Sequence, residues 1–261
     1  MAKAIEFDDV ADIYDYYVNV DLDIPFFVEE LRARKGDVLE LMCGTGRVSL
    51  PLLKNGVSLT CVDYSSKMLD KLGDKLSANQ LQARLVHADV CQMELGRQYE
   101  TVFIPFNSFM ELVGAEKQIA ALQSINSHLI DEGLFICTLH NPAVRAGLAN
   151  GERVFRGQFA LPGKQFLRLH SEEHIIPGQS LIKGSQYFTV CNEQGQLLLE
   201  RRLDICFSLV DKEAFEQMAR AAGFSVENLY GNYDRSEFSA EESPFMIFLL
   251  KKSLRRQPEN P

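Results

Sequence analysis

From residue 37 onward, short apolar runs alternate with amphipathic stretches of helical spacing, and no other feature of the sequence constrains the fold as strongly. Strands that alternate with helices are joined by right-handed crossovers and form a parallel sheet. The sequence therefore predicts an α/β fold. The first five strands are expected at residues 37–42, 57–62, 83–87, 101–106 and 133–140.

A different pattern interrupts this alternation after the fifth strand. Residues 151–210 contain extended segments separated by Pro-Gly and other glycine-containing turns, which predict an inserted antiparallel β meander. The segments of strand composition lie at 166–170, 181–190 and 196–210. We therefore expect three parts: N-terminal lid helices at 1–35, a core of 36–150 and 211–252, and an inserted sheet at 151–210 that covers the site.

The turn after the first strand has the sequence Glu-Leu-Met-Cys-Gly-Thr-Gly, residues 40–46. Glycines at such a turn allow positive φ angles and a close approach of the backbone to a ligand. Asp63 closes the second strand 19 positions after Gly44, about where a carboxylate reaches ribose hydroxyls. Asp89 closes the third strand, where it can meet an adenine edge. The sequence therefore predicts a nucleoside-containing ligand.

The chemistry of this turn narrows the choice of ligand. A dinucleotide fingerprint requires a third glycine, but Ser49 occupies that position and Glu40 adds negative charge. A Walker loop requires Gly-Lys-Ser/Thr, whereas residues 46–49 are Gly-Arg-Val-Ser. S-adenosylmethionine carries no phosphate, and its sulfonium and ammonium cations tolerate nearby carboxylates. A purely structural turn with incidental acids is the alternative.

Three stretches together resemble the class I, Rossmann-like S-adenosylmethionine-dependent methyltransferases: Val-Leu-Glu-Leu-Met-Cys-Gly-Thr-Gly-Arg at 38–47, Val-Asp-Tyr-Ser at 62–65 and Ala-Asp-Val at 88–90. The resemblance covers residues 36–141 and, more loosely, 210–250. It implies a seven-stranded, mostly parallel sheet with helices on both faces and an antiparallel last strand. It also implies an enzyme that binds S-adenosylmethionine and releases S-adenosylhomocysteine.

The resemblance also implies a cofactor site in this sequence. Gly44 and Gly46 would flank the methionine moiety, and Asp63 would hold the ribose. The adenine would contact the third strand end, and the loop after the fourth strand would close the pocket. The residues expected to bind the cofactor are Tyr14, Glu40, Gly44, Thr45, Gly46, Arg47, Asp63, Tyr64, Met68, Asp89, Val90, Phe106 and Asn107.

Two further stretches bear on the methyl acceptor. Residues 7–17 are similar to the N-terminal Tyr-Asp-x-x-Tyr of methyltransferases for sugar amines and other small metabolites, although tyrosines that merely fill a lid helix are the alternative. Residues 104–109, Ile-Pro-Phe-Asn-Ser-Phe, depart from the Asp/Asn-Pro-Pro-Tyr of many amino-methylating DNA and protein enzymes. The amino-sugar subgroup likewise has a strand insert that helps form the acceptor site. We therefore expect transfer to a nitrogen or oxygen of a small molecule.

Catalytic candidates follow from their places in the predicted sheet. His140 ends the fifth strand, where the acceptor should lie, and is the favoured general base; a structural histidine that binds a loop is the alternative. Tyr17 is the second catalytic candidate, and Glu111 is a further possible base. His170 and His174 lie in an extended segment rather than on one helix face, so no metal site is expected.

Composition and charge exclude several classes of partner. The net charge of -9 disfavours a nucleic-acid acceptor, because a protein that grips phosphates normally carries a basic face. The basic cluster at 251–256 is interpreted as part of a frayed polar tail. Neither a signal peptide nor a membrane-spanning apolar run is recognisable, and the scattered cysteines suit a reducing compartment. We therefore expect a cytoplasmic protein with no membrane partner.

Other interpretations of the same residues stay open. The inserted sheet offers a surface for a homodimer. The fold also hosts methyltransferases of RNA or protein, non-catalytic cofactor-binding subunits and aminopropyltransferases. Asn107 is a poor substitute for the aspartate expected in an aminopropyltransferase, and the intact glycines and acidic strand ends disfavour a non-catalytic subunit.

Overall fold

The computed structural model describes residues 5–34 and 36–253. Its strands are β1 (Val38–Leu41), β2 (Leu59–Asp63), β3 (Arg84–His87), β4 (Tyr99–Ile104), β5 (Leu129–His140), β6 (Asn150–Leu161), β7 (Gln165–Ile176), β8 (Leu181–Asn192), β9 (Leu197–Ser208), β10 (Phe224–Tyr230) and β11 (Phe245–Lys252). Its α-helices are α1 (Tyr14–Tyr17), α2 (Ile24–Leu31), α3 (Ser49–Lys54), α4 (Ser66–Asn79), α5 (Ala115–His128), α6 (Pro142–Arg145) and α7 (Lys212–Ala221). Short 3-10 helices span Phe7–Asp9, Ser108–Glu111 and Ala146–Leu148.

The larger sheet has seven strands in the order β10-β11-β5-β4-β1-β2-β3. Strands β1 to β5 pair in parallel, whereas β11 runs antiparallel to both of its neighbours. The predicted seven-stranded, mostly parallel sheet with an antiparallel last strand is confirmed. Because β1 lies between β2 and β4, the strand order reverses there and leaves a crevice at the carboxyl ends of these strands.

Helices cover both faces of this sheet, as predicted. On one face, Phe27 of α2 and Leu72 of α4 pack into a core with Val38 of β1. On the other face, Leu122 of α5 and Phe215 of α7 pack into a second core. Successive residues of β1 alternate between these two cores, as side chains of a strand must.

The segment between β5 and α7 forms a second, antiparallel sheet in the order β6-β7-β8-β9. The sequence predicted only three extended segments here, and it missed β6. Most side chains of β6 are exposed, so the segment shows no alternation of apolar and polar residues. Tertiary pairing with β7, rather than local pattern, makes this segment a strand.

The N-terminal segment packs between the two sheets rather than forming long helices. Its 3-10 helix and α1 are short, and Val10 and Ile13 are buried against Leu167, Phe188 and Leu203 of the second sheet. Within the predicted lid of 1–35, residues 1–4 and 35 lie outside the described residues, as do residues 254–261 of the predicted C-terminal tail. Among the described helices, none is both long and apolar enough to cross a membrane.

Candidate active site

The turn after β1 depends on two glycines with positive φ angles. Gly44 has φ 56°, and its N–H donates to Asp63 Oδ2 over 2.7 Å. Gly46 has φ 83°, and a Cβ atom built there would lie 2.3 Å from Cδ1 of Leu72 in α4. The first glycine therefore couples the turn to the end of β2, and the second allows α4 to pack closely against the turn.

Asp63 is held rigidly at the carboxyl end of β2. Its Oδ2 accepts from Gly44, and its Oδ1 accepts from the backbone N–H of Ser65 over 2.8 Å. Burial raises the pKa of Asp63, and these backbone hydrogen bonds oppose that change by favouring the ionised carboxylate. The carboxylate is therefore oriented by its backbone partners.

A cavity of about 180 Å³ lies beside Asp63, at the end of the sheet where the strand order reverses. Seven residues expected to bind the cofactor line it: Tyr14, Gly44, Asp63, Tyr64, Met68, Asp89 and Val90. The charged side chains among its lining residues are three carboxylates, of Asp63, Asp89 and Glu111, and one ammonium group, of Lys117. This balance fits the cationic, phosphate-free S-adenosylmethionine better than a nucleotide. We call this space the cofactor cavity.

Four of the residues expected to bind the cofactor lie around the turn instead of lining this cavity: Glu40, Thr45, Gly46 and Arg47. The buried Glu40 accepts a hydrogen bond from the Ser49 hydroxyl over 2.6 Å, and burial raises its pKa to about 8. Thr45 donates to Asp15 over 2.5 Å. These contacts stabilise the turn from beneath and from the N-terminal segment.

Arg47 connects the turn to both the N-terminal segment and the loop after β4. Its guanidinium donates to both carboxylate oxygens of the buried Asp23, over 2.5 and 2.6 Å. The same group lies 4.4 Å from the ring centroid of Phe106. Arg47 is thus fully engaged by protein groups.

A second cavity of about 380 Å³ adjoins the first. The N-terminal segment, the loop after β4, the end of β5 and strands of the second sheet supply its walls. Phe106 and Asn107 line this space rather than the cofactor cavity, together with His140 and Tyr17. Four residues line both cavities: Phe7, Tyr14, Ser108 and Glu111. We call the second space the acceptor cavity.

The loop after β4 takes an unusual course at this cavity. Phe106 and Asn107 are consecutive non-glycine residues with φ angles of 57° and 61°. The Asn107 N–H donates to the Thr138 hydroxyl over 3.0 Å, and its Nδ2 lies 3.3 Å from Nε2 of His140. Asn107 Oδ1 is buried and has no hydrogen-bond partner among the residues that the structure describes. Such conformations cost free energy and persist where the surrounding structure demands them, often at functional sites.

His140 is held at the edge of the acceptor cavity in its neutral form. Its ring stacks on Phe245 with centroids 5.4 Å apart, and its backbone N–H approaches Met110 Sδ. Burial, followed by the positive charge of Arg145, lowers the pKa of His140 to about 4. At neutral pH the imidazole is therefore uncharged and only a weak base.

Tyr14 and Tyr17, two of the three tyrosines of α1, form an aromatic wall. Their ring centroids lie 5.4 Å apart, and Tyr17 also packs 5.0 Å from Phe188 of β8. Tyr17 Oη is buried and has no hydrogen-bond partner within residues 5–34 and 36–253. Burial raises the pKa of both phenols, so each stays protonated at physiological pH.

Several residues that line the cavities are absent from the expected cofactor set. Arg145 and Glu173 form an ion pair in the wall of the acceptor cavity, and Glu111 faces both cavities. Glu111 could be noticed in the sequence because it is the one charged residue of the otherwise uncharged run at 105–113. Arg145 and Glu173 carry no comparable signal, since only the folding of the second sheet brings them together.

Comparisons with known proteins agree with this geometry. Residues 38–133 match a family model described as a methyltransferase domain. Cypemycin N-terminal methyltransferase from a Streptomyces species is 27% identical over 229 residues, which cover 82% of this chain and 83% of that protein. The chain therefore contains a methyltransferase domain. The resemblance, the enzyme class and the cofactor inferred from the sequence are thereby confirmed.

Solved structures support the same fold for this methyltransferase. The CcbJ methyltransferase of Streptomyces caelestis is 26% identical, with a TM-score of 0.77, and the match covers 97% of this chain and 100% of that chain. An S-adenosylmethionine-dependent methyltransferase of Clostridium acetobutylicum is 16% identical, with a TM-score of 0.79 and coverage of 95% and 99%. At that identity the second likeness concerns the fold alone.

Proposed function

We propose that this methyltransferase transfers a methyl group to a nitrogen or oxygen atom of a small metabolite, with nitrogen favoured. The observation that carries the proposal is the acceptor cavity of about 380 Å³, which adjoins the cofactor cavity through four shared residues. Cavities of roughly 300–1,000 Å³ are typical of small-molecule sites. The name of the cypemycin relative, an N-terminal methyltransferase, supports a nitrogen acceptor.

The residues of the cofactor cavity are suited to hold S-adenosylmethionine. Asp63 is the proposed ribose ligand and Asp89 the proposed adenine contact, while Gly44 leaves room beside the turn. When bound, the cofactor supplies a methyl group on a sulfonium, which is already an activated leaving group. The protein therefore has little covalent chemistry to perform.

The remaining work of the protein is to position the acceptor and exclude water. Holding the nucleophile in line with the methyl group contributes up to about 7–11 kcal/mol. The rings of Tyr14, Tyr17 and Phe106 supply apolar walls for this purpose. His140, neutral and next to Asn107, is proposed to orient that amide and the acceptor rather than to remove a proton.

The test is methyl transfer from cofactor labelled in its methyl group into a cell extract separated into small-molecule, RNA and protein fractions. We expect label in the small-molecule fraction, on a nitrogen or oxygen atom. Replacement His140→Ala should lower turnover and leave cofactor binding unchanged.

Other outcomes would overturn the proposal. Label confined to RNA or protein would establish a macromolecular acceptor. Tight cofactor binding without transfer to any fraction would indicate a non-catalytic binding subunit.

A further inference from the structure

Glu111 occupies a position that the cofactor site alone does not explain. It ends the 3-10 helix Ser108–Glu111 after β4 and lines both the cofactor cavity and the acceptor cavity. Within residues 5–34 and 36–253, its carboxylate has neither a hydrogen bond nor an ion pair. An enclosed carboxylate without a partner is costly unless a ligand supplies one.

The other charged groups of the acceptor cavity are already neutralised. Asp23 pairs with Arg47, and Glu173 pairs with Arg145. His140 is neutral at physiological pH, and Tyr14 and Tyr17 stay protonated. Within the described residues, Glu111 is therefore the acidic group of the acceptor cavity whose ionised form no protein cation balances. On the side of the cofactor cavity, Asp63 adds negative charge near Glu111.

We propose, on the basis of the function proposed above, that Glu111 selects an acceptor whose nucleophilic nitrogen arrives as an ammonium group, and that its carboxylate removes one ammonium proton. In this step an N–H bond breaks and an O–H bond forms on Glu111. The electron pair of the broken bond stays on nitrogen and becomes the nucleophile. The proton then leaves Glu111 for solvent when the product departs.

The charge properties of the two candidate bases favour Glu111 over His140. Burial raises the pKa of Glu111 to about 8, whereas it lowers that of His140 to about 4. A general base works best when its pKa lies near the working pH, because it is then available and still basic. Glu111 meets this condition, and an approaching ammonium cation would stabilise its ionised form.

The experiment measures binding to the protein saturated with S-adenosylhomocysteine, so that no turnover is needed. The probes are cyclohexylamine and benzylamine, both ammonium ions at neutral pH, and the matched neutral alcohols cyclohexanol and benzyl alcohol. We expect at least one amine to bind the wild-type protein about tenfold or more tightly than its alcohol. Glu111→Gln should reduce this preference to below about threefold, and Glu111→Asp should restore part of it.

Controls separate a charge effect from a structural one. Glu116→Gln removes a carboxylate from an exposed position five residues away and should keep the wild-type preference. The concentration of S-adenosylhomocysteine is set for each variant from its own dissociation constant, so that the cofactor cavity is saturated in every comparison. No binding of either amine, equal binding of amine and alcohol, or an unchanged preference in Glu111→Gln would each overturn the assignment of Glu111.

The same measurement distinguishes this proposal from the proposed function. A preference for ammonium that depends on Glu111, with no methyl transfer to any small molecule, would support the assignment of Glu111 and contradict the proposed function. Methyl transfer to a small molecule without such a preference would support the proposed function and contradict the role of Glu111.

Discussion

Glu111 and His140 line the same cavity, yet burial moves their pKa values in opposite directions. Burial disfavours the charged form of any group, so it raises the pKa of an acid and lowers that of a base. In the ligand-free protein both side chains are therefore mostly neutral near pH 7. The acceptor cavity therefore presents two neutral side chains, and a charged ligand would shift their protonation when it binds.

This property makes the stability of the protein depend on pH through Glu111. The folded state retains a proton on Glu111 up to a pKa of about 8, whereas the unfolded chain releases it near pH 4.5. Folded protein thus binds more protons between these values, and its free energy of unfolding falls as pH rises through that range. Glu111→Gln removes this contribution of Glu111 to the pH dependence. Between pH 5 and pH 8.5, the free energy of unfolding of the variant should therefore rise by at least about 1.4 kcal/mol relative to that of the wild-type protein.

Urea unfolding of both proteins at the two pH values measures this difference. The contribution of His140 has the opposite sign, because its lowered pKa makes stability rise with pH between about 4 and 6.5. It is common to both proteins and cancels in the comparison. Parallel stability profiles would contradict the raised pKa of Glu111.

At the scale of elements, the turn between β1 and α3 places the backbone N–H of Gly44, which donates to Asp63, beside the cofactor cavity. The two glycines of this turn, Gly44 and Gly46, differ in their surroundings. In the described part of the chain, no heavy atom outside its two chain neighbours lies within 4 Å of the position that a Cβ of Gly44 would take, whereas a Cβ of Gly46 would meet Leu72 of α4. The turn therefore tolerates a side chain at the first position better than at the second.

Alanine substitutions test this difference. Gly44→Ala should lower the free energy of unfolding by about 1 kcal/mol, the cost of a left-handed conformation for a residue with a Cβ. Gly46→Ala adds an overlap with Leu72 to the same backbone cost, so we expect a loss of about 3 kcal/mol. Urea denaturation of the two variants provides the measurement. Equal losses would mean that Leu72 moves aside freely.

At the scale of the whole molecule, aspartates of the N-terminal segment hold it to three separate regions. Asp8 accepts from the Ser65 hydroxyl before α4, and Asp12 pairs with Arg201 of the second sheet. Asp15 accepts from Thr45 in the glycine turn. The segment also contributes Phe7 and Tyr14 to both cavities. It therefore forms a roof beside both cavities, and polar contacts hold this roof to the rest of the protein.

Asp15→Asn should loosen this roof without unfolding the protein. The variant loses the ion pair with Lys75, whose Nζ lies 2.6 Å from Asp15, and weakens the contact with Thr45. Exposed ion pairs contribute only about 0–1 kcal/mol, so global stability should change little. Dissociation of S-adenosylhomocysteine, followed by stopped-flow fluorescence, should become several-fold faster.

Asp74→Asn is the matched control, since Asp74 is exposed on α4 and lies outside the roof. It should leave the dissociation rate unchanged. If Asp15→Asn releases the product at the wild-type rate, the contacts of Asp15 do not limit opening of the roof.

The sequence was sufficient for those features that local pattern encodes. The alternation of apolar runs and helical stretches indicated the parallel sheet, and Gly44 with Asp63 indicated the cofactor end of that sheet. The parallel sheet is confirmed, because burial on both faces makes a parallel strand apolar. The site at Gly44 and Asp63 stays a prediction, which rests on the need of a tight turn for glycine. The antiparallel last strand and the cofactor identity came from the resemblance of three short motifs.

The acceptor cavity depended on tertiary structure, because residues far apart in the chain meet there. Tyr17, Glu111, His140 and Gln186 come from four different parts of the sequence, and no periodic pattern connects them. The edge strand β6 was missed for a related reason: its hydrogen bonds to β7, not its own apolar pattern, define it. Local sequence encodes which face of an element is buried, whereas the charge balance of a cavity follows from which ionised groups find partners after folding. Among the described residues, that balance leaves the ionised form of Glu111 without a counter-charge, which is why Glu111 is the proposed ammonium site.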